Sequence, residues 1–237
     1  MMKFMLAIST LCCLLNGNSW AQKAPVDGSV AHLSGTLSVK KADGTIKILS
    51  LKSGVAAGDV LSTEKKSYAQ INFADGSQMT LRPNSQIKIE AFKFAQAEPS
   101  ADNAIFRLFK GGMRTVTGLI GKRGNRDSYR IRTATATIGI RGSSGDTLTC
   151  PCPGVTDTSD GLAPGDYHAT YTGAYIMQTS AGELMVGEGQ FAFVPDNKTL
   201  PRLLPKDPGM GGRDITFNLA FGNTLDDQKD SNMCVVK

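Results

Sequence analysis

Apolar and polar residues alternate with a period of two through most of this chain, and turn-forming residues interrupt the pattern every eight to twelve positions. Successive side chains of a strand point to opposite faces, whereas an amphipathic helix needs apolar residues three and four apart. The pattern therefore specifies strands with one dry face and leaves few segments suited to a helix. Residues 30–41 and 45–51 flank Ala42-Asp43-Gly44, and residues 67–73 and 77–81 flank Ala74-Asp75-Gly76. Each Asp-Gly pair suits a tight hairpin, because glycine accepts the positive φ that such turns demand. In the second hairpin Ala69, Ile71 and Phe73 share a face that Met79 and Leu81 join across the turn, which leaves Tyr68, Gln70 and Asn72 on the other.

The same reading predicts strands over 86–94, 104–110, 113–117, 128–133, 134–140, 167–172, 174–179, 183–186 and 190–194. Gly111-Gly112 reads as a break, and 118–127 and 151–165 as loops. Within 128–133, Tyr129, Ile131 and Thr133 share one face and Arg130 and Arg132 the other, toward solvent or a partner. The expected fold is all-β: an antiparallel sandwich, or a short solenoid-like stack given that 173–193 weakly repeats the pattern of 35–61. From 201 onward Pro201, Pro205, Pro208, Gly209, Gly211 and Gly212 mark a linker and C-terminal tail, in which 214–221 either docks as a short element or stays disordered. The expected organisation is 1–21, a signal segment; 22–200, one all-β domain; 201–237, linker and tail.

The signal expectation rests on Lys3, an apolar run over 4–15 and small residues at Ser19 and Ala21, which place a cut before Gln22. Twelve apolar residues reach about 18 Å as a helix, short of a hydrocarbon core of about 30 Å, so the segment suits cleavage better than anchoring. Bulky Leu11 before Cys12 argues against a lipoprotein signal. The chain is thus expected to be exported, periplasmic in a bacterium, without a stable membrane anchor. Cleavage removes Cys12, Cys13 and the lone Trp20 and leaves Cys150, Cys152 and Cys234. In an oxidising compartment these pair as a strained Cys150–Cys152 bridge or as Cys234 with one of the two. A metal site would need further ligands that His32 and His168, far apart in sequence, do not supply, so no metal or cofactor is expected.

Charge is segregated more sharply than the formal net +5 suggests. Between Arg107 and Arg141 stand Arg107, Lys110, Arg114, Lys122, Arg123, Arg126, Arg130, Arg132 and Arg141 against the single acid Asp127. From 142 to 197 there is no lysine or arginine, while Asp146, Asp157, Asp160, Asp166, Glu183, Glu188 and Asp196 follow one another. Arginines on neighbouring strands can hold phosphate or carboxylate groups bidentately, which makes Arg107, Arg114, Lys122, Arg123, Arg126, Arg130 and Arg132 a candidate anion-binding face. They can equally meet the acidic block of the same molecule or of a second copy. That balance, in an exported chain, argues against nucleic acid.

Catalytic and nucleotide motifs fail on their spacing. Gly118 to Lys122 lacks the first glycine and the final hydroxyl of a phosphate loop, and Gly142-Ser143-Ser144-Gly145 lacks the strand-turn-helix setting of a nucleophile elbow. Asp157 to Gly161 lacks the alternate carboxylates and closing glutamate of a calcium loop. No acid/base pair can be named, and an enzyme is not expected.

A resemblance adds to this reading. Gly58-Asp59, Thr63, Asp75-Gly76, Pro83-Asn84-Ser85, the segment 110–114 (KGGMR) and the close 131–142 (IRTATATIGIRG) occur in one order, and together resemble a FecR domain over about 57–146. Ser143 stands where the family usually has threonine, which keeps the hydroxyl and loses a methyl. The resemblance implies a bacterial, periplasm-facing, non-catalytic all-β module. The family's best-known members are membrane-bound sigma-factor regulators with a cytoplasmic helical domain, a part this sequence does not show, so the chain is more similar to freestanding exported FecR-domain proteins. Two functions are expected: a binding or scaffolding module for an anionic envelope glycan or an envelope protein, self-association included, or a soluble periplasmic sensor related to FecR-type sigma-factor regulators.

Overall fold

The computed structural model of the chain describes residues 26–123, 125, 127–150 and 162–210. Its described regular structure is fifteen strands and one 3-10 turn at Pro99–Ala101, as the period-two pattern requires. Hydrogen bonding runs continuously through all fifteen strands without closing into a barrel.

The strands lie in two layers that share three long members. The first layer runs β3 (Ile46–Leu49), β2 (Leu37–Lys40), β5 (Val60–Thr63), β8 (Gln86–Lys93), the first half of β9 (Asn103–Val116), β10 (Tyr129–Arg132), the first half of β11 (Thr137–Cys150), the second half of β12 (Gly165–Thr179) and β13 (Gly182–Gly187). The second runs β4 (Gly54–Val55), β1 (Gly28–Ser34), β6 (Tyr68–Phe73), β7 (Gln78–Leu81), the other halves of β9, β11 and β12, then β14 (Phe191–Val194) and β15 (Arg202–Leu204). Every pairing is antiparallel except β9 with β10. The Asp43-Gly44 and Asp75-Gly76 turns link β2 to β3 and β6 to β7, as expected.

Sharing requires corners, and left-handed glycines provide them. β9 exchanges β8 and β10 for β7 and β11 around Gly111, β11 exchanges β10 for β9 around Gly142, and β12 exchanges β14 for β13 around Gly173, with φ of 78°, 62° and 72°. A Cβ on Gly111 would stand 2.4 Å from Ser85 Oγ, and one on Gly173 2.7 Å from Ser143 Oγ, so both conformation and space demand glycine. The expected break at Gly111-Gly112 and the expected ends at 140 and 172 are therefore bends within continuous strands. Register shifts accompany these bends, and the alternation changes phase across them. Ala104, Phe106 and Leu108 face the core before Gly111, and Met113 faces it after.

The inner faces of both layers supply one core. Phe73 of β6 stacks on Phe92 of β8 at 5.1 Å and tilts against Phe106 of β9 at 5.2 Å, stitching the layers together. A buried side chain of this kind contributes about 1.5–3 kcal/mol. A second, smaller cluster of Leu148, Cys150, Tyr167, Ala169, Phe193 and Met210 lies apart from it. The weak repeat survives in part: Gly35 and Gly173 both open a hairpin whose first strand is later rejoined, but β5 pairs with β2 itself whereas β14 pairs upstream of Gly173.

The linker expected from 201 is not free of the body at its start. Arg202 to Leu204 pair with β14, and Met210 is buried. The signal segment 1–21, most of the 151–165 loop and 214–221 lie outside the described residues. Cys150 is disulfide-bonded, and as the only cysteine among the described residues its partner lies outside them, as do Cys152 and Cys234. Among the described residues no helix is long and apolar enough to cross a membrane.

Candidate functional site

Alternation aims the basic residues of the first layer outward. Tyr129 and Ile131 are buried in the core, so Arg130 and Arg132 project from the opposite face of β10. The parallel register sets Arg132 beside Arg107 of β9. Both guanidinium groups converge on Glu90 of β8, Arg107 through Nε to Oε1 and Arg132 through Nη1 to Oε2 at 3.1 Å. Partial burial alone would raise the pKa of Glu90, but the hydrogen bond and charge of Arg107, then those of Arg132, hold it below the usual carboxylate range. Arg130 reaches Asp127 at 3.5 Å.

Next to these pairs lies a groove of about 420 Å³ lined by Asp127, Arg130, Arg132, Thr137, Gly139, Arg141, Ile176, Gln178 and Glu183. Its floor is Gly139, which sits in register between Arg130 of β10 and Ile176 of β12. A Cβ there would meet only the Ile176 carbonyl oxygen, at 3.9 Å, so it is the missing side chain and not crowding that keeps the floor open. Through Thr137 and Gln178 the groove continues into a shallower hollow of about 290 Å³ that includes Thr133, Thr135, Ser180 and Asn197. One end offers guanidinium groups and the other hydroxyls and amides, a lining that holds anionic and polar groups.

The second layer carries a different charged cluster, closed to water. Asp146 of β11, with no exposed surface, accepts from Arg114 Nε at 2.7 Å and Nη2 at 3.0 Å, from Arg82 Nη2, and from the Tyr171 hydroxyl at 2.7 Å. Arg114 also lies over the Tyr171 ring at 4.7 Å. Burial alone would lower the pKa of Arg114, yet its bonds to Asp146 raise it, so the guanidinium stays charged. Burial, and then Asp146, push the Tyr171 phenol well above its ordinary range.

Two more polar groups are sealed between strands. Asp166 accepts from the hydroxyls of Thr133 and Thr135 and from Thr149 at 2.7 Å, and burial raises its pKa despite those bonds. His168 Nδ1 pairs with the Thr147 hydroxyl at 3.1 Å, its ring packs on Tyr175 at 4.1 Å, and Nε2 has no hydrogen-bond partner among the described residues. Burial lowers its pKa to about 3, so the ring is neutral. The His168 ring is therefore not set up as an acid or base poised near neutrality.

A protein-family comparison bears on the strands that build the groove. Residues 59–149 match the family described as FecR protein. This chain carries a FecR domain. Two crystal structures of a "putative anti-sigma factor" from Parabacteroides distasonis ATCC 8503 are also similar, at 12% identity and TM-scores of 0.44 and 0.43. Each match covers 62% of this chain, and the chain spans 60% of the length of those structures. No curated protein matches the sequence.

The close of the FecR domain, IRTATATIGIRG over 131–142, sends Ile131, Ile138 and Ile140 into the core and turns Arg132, Thr137, Gly139 and Arg141 toward the groove. The opposite wall, Ile176, Gln178 and Glu183, lies beyond the FecR match, as does Tyr171 at the buried cluster. Of the basic residues singled out by sequence, the structure brings Arg130 and Arg132 to the groove and Arg107 beside them. Arg114 is a correction: it is buried against Asp146, 5% exposed, and cannot serve an open face. Arg123 is also occupied, donating to Asp102 at 3.1 Å and to the carbonyls of Ala95 and Gln96, with Phe94 beneath it. Lys122 lies with its stem beside Gly142, away from the groove lining. Arg126 lies outside the described residues.

Sequence reasoning did not single out Gly139, Arg141, Arg82, Asp146, Tyr171 or Asp166 as site residues. Gly139 and Arg141 share the parity of Thr137 on one strand, a signal that was present. Nothing local pairs Arg82 with Asp146, since they meet only when β7 and β11 flank β9. Among the described residues no three His, Cys, Asp or Glu side chains gather as metal ligands.

Proposed function

We propose that this chain is an exported, non-catalytic signalling module of the FecR type. In this reading it works in the periplasm and recognises a protein partner bearing carboxylate or other anionic groups through the Gly139 groove. The observation that carries the proposal is that the closing motif of the FecR domain delivers its outward side chains, Arg132, Thr137, Gly139 and Arg141, to one groove beside Arg130. Regulators fit this arrangement better than enzymes do, because the groove offers fixed charges and hydrogen-bonding groups for recognition. The mixed lining, arginines with Asp127 and Glu183 among them, favours a partner of patterned charge over a uniform polyanion.

The test is in the native host. A photo-crosslinking residue at Gln178 should trap a discrete envelope protein, and deletion of the gene should change a discrete set of transcripts. Arg141→Glu and Gly139→Leu, which reverse a charge in the groove and fill its floor, should abolish both effects while the protein stays folded. A deletion that weakens the envelope and leaves transcription unchanged, with glycan but no protein crosslinked at Gln178, would replace signalling by scaffolding.

A further inference from the structure

We infer that the outer face of the second layer is a peptide-docking socket and that the chain's own Met210 occupies it as an intramolecular latch. The inference does not depend on the groove or on the signalling reading. Past β15 the chain leaves the sheet at Leu204, and residues 205–210 return over the outer face without strand pairing. Asp207 shapes that return: its Oδ1 accepts from the amides of Gly209 at 2.9 Å and Met210 at 3.0 Å. Both donors are thereby used within the turn, and the Met210 carbonyl projects to accept from Arg82 Nη1.

Arg82 is held for this task. Its other terminal nitrogen is ion-paired with the fully buried Asp146, so the guanidinium presents a donor from a fixed position. The Met210 side chain, 1% exposed, fills the small cluster formed with Leu148, Cys150, Tyr167 and Phe193, apart from the main core. An anchor side chain in an apolar socket, together with one main-chain acceptor on a preset donor, is how a docked peptide is held. Pro205 and Pro208 stiffen the segment, which lowers the entropy lost on docking, and Gly209, with φ of 95°, supplies the left-handed turn. Among the described residues these contacts are few, and few contacts can be exchanged. The competing ligand is a peptide segment of another protein, with methionine or leucine at a turn and its carbonyl free, and a charged anchor is excluded.

The experiment uses the full chain, with Met210→Lys to place a cation where Arg82 and Arg114 already stand, and Met210→Leu as the conservative variant. The probe is a labelled synthetic peptide of sequence LPKDPGM, residues 204–210, acetylated and amidated. The Met210→Lys protein should bind it at least tenfold more tightly than the wild type, whose own segment competes, and Met210→Leu should behave as the wild type. A peptide with lysine in place of methionine should bind neither. Amide exchange over 207–210 should be at least tenfold faster in Met210→Lys. Equal peptide binding by wild type and Met210→Lys, or unchanged exchange in the variant, overturns the proposal and leaves the segment as an ordinary packed loop. If Met210→Lys does not fold, Asp207→Ala, which removes the turn's acceptor and buries no charge, is held to the peptide-binding criterion.

Discussion

The two layers use the same ingredients, arginines against a carboxylate, to opposite ends. On the first, Arg107 and Arg132 share Glu90 with guanidinium side chains 37% exposed, and Arg130 and Arg141 border an open groove. On the second, Arg82 and Arg114 share Asp146 with side chains 2% and 5% exposed, and Met210 closes over them. In water such a pair is screened and holds its side chains loosely, so it remains free to exchange partners. Out of water the same pair is costly to break, because the survivor keeps its desolvation penalty. Composition therefore does not tell a recognition surface from a structural tie, and cover does.

The sharpest way to break this comparison is to remove each shared carboxylate in turn. Asp146→Asn leaves two guanidinium groups without their buried counter-charge and should cost about 3–5 kcal/mol in chemical denaturation. Glu90→Gln, the matching change on the open layer, should cost only about 0–1 kcal/mol. Equal losses would mean that the two faces do not differ as described.

Protonation gives the next largest effect. His168 has a folded pKa of about 3 against an ordinary 6.5, a depressed value. Its contribution is therefore present above pH 6.5 and lost as pH falls toward 3, at roughly 1.4 kcal/mol per pH unit while only the unfolded chain takes up the proton. His168→Phe should remove that slope from stability measured across pH 6.5 to 4, whatever it does to absolute stability.

A third test separates the layers at their corner. Gly111→Ala places a Cβ against Ser85 in a left-handed conformation and should cost about 1–3 kcal/mol. Gly139→Ala, where the floor is open, should cost well under 1 kcal/mol, within the range of ordinary surface substitutions.

The smallest effects sharpen the contrast by sign. Asp166 has a raised pKa, so its contribution is full below the unfolded carboxylate pKa and is lost as pH rises through the folded value. Glu90 has a lowered pKa, so its contribution is present above the unfolded value and lost as pH falls through the folded one. Relative to the wild type, Asp166→Asn should gain stability and Glu90→Gln should lose it as pH is raised from 3 to 6, read from denaturation midpoints.

Much of this was legible in the sequence because its cause is local. The alternation in 67–73 and 77–81 and the Asp75-Gly76 turn give β6, β7 and their hairpin, and the closing motif over 131–142 led to the FecR domain. Arg130 and Arg132 were placed outward by parity alone. Arg114 was misassigned because it does project away from the core, opposite Met113, but onto a face of the second layer that Tyr171 and Met210 cover. A glycine that ends a strand and a glycine that bends one look alike in sequence.

The sequence by itself determined that this chain makes sheets, where its tight hairpins fall and which residues of each short strand share a face, since those depend on backbone sterics and on neighbours two positions away. The tertiary structure decided that three strands cross between layers, that Gly139 opens a groove half of whose wall lies beyond the FecR domain, and that Arg82 meets both Asp146 and Met210. Those contacts join residues 64 and 128 positions apart. Whether a charge is open or sealed depends on which distant segment covers it, and no local pattern encodes that.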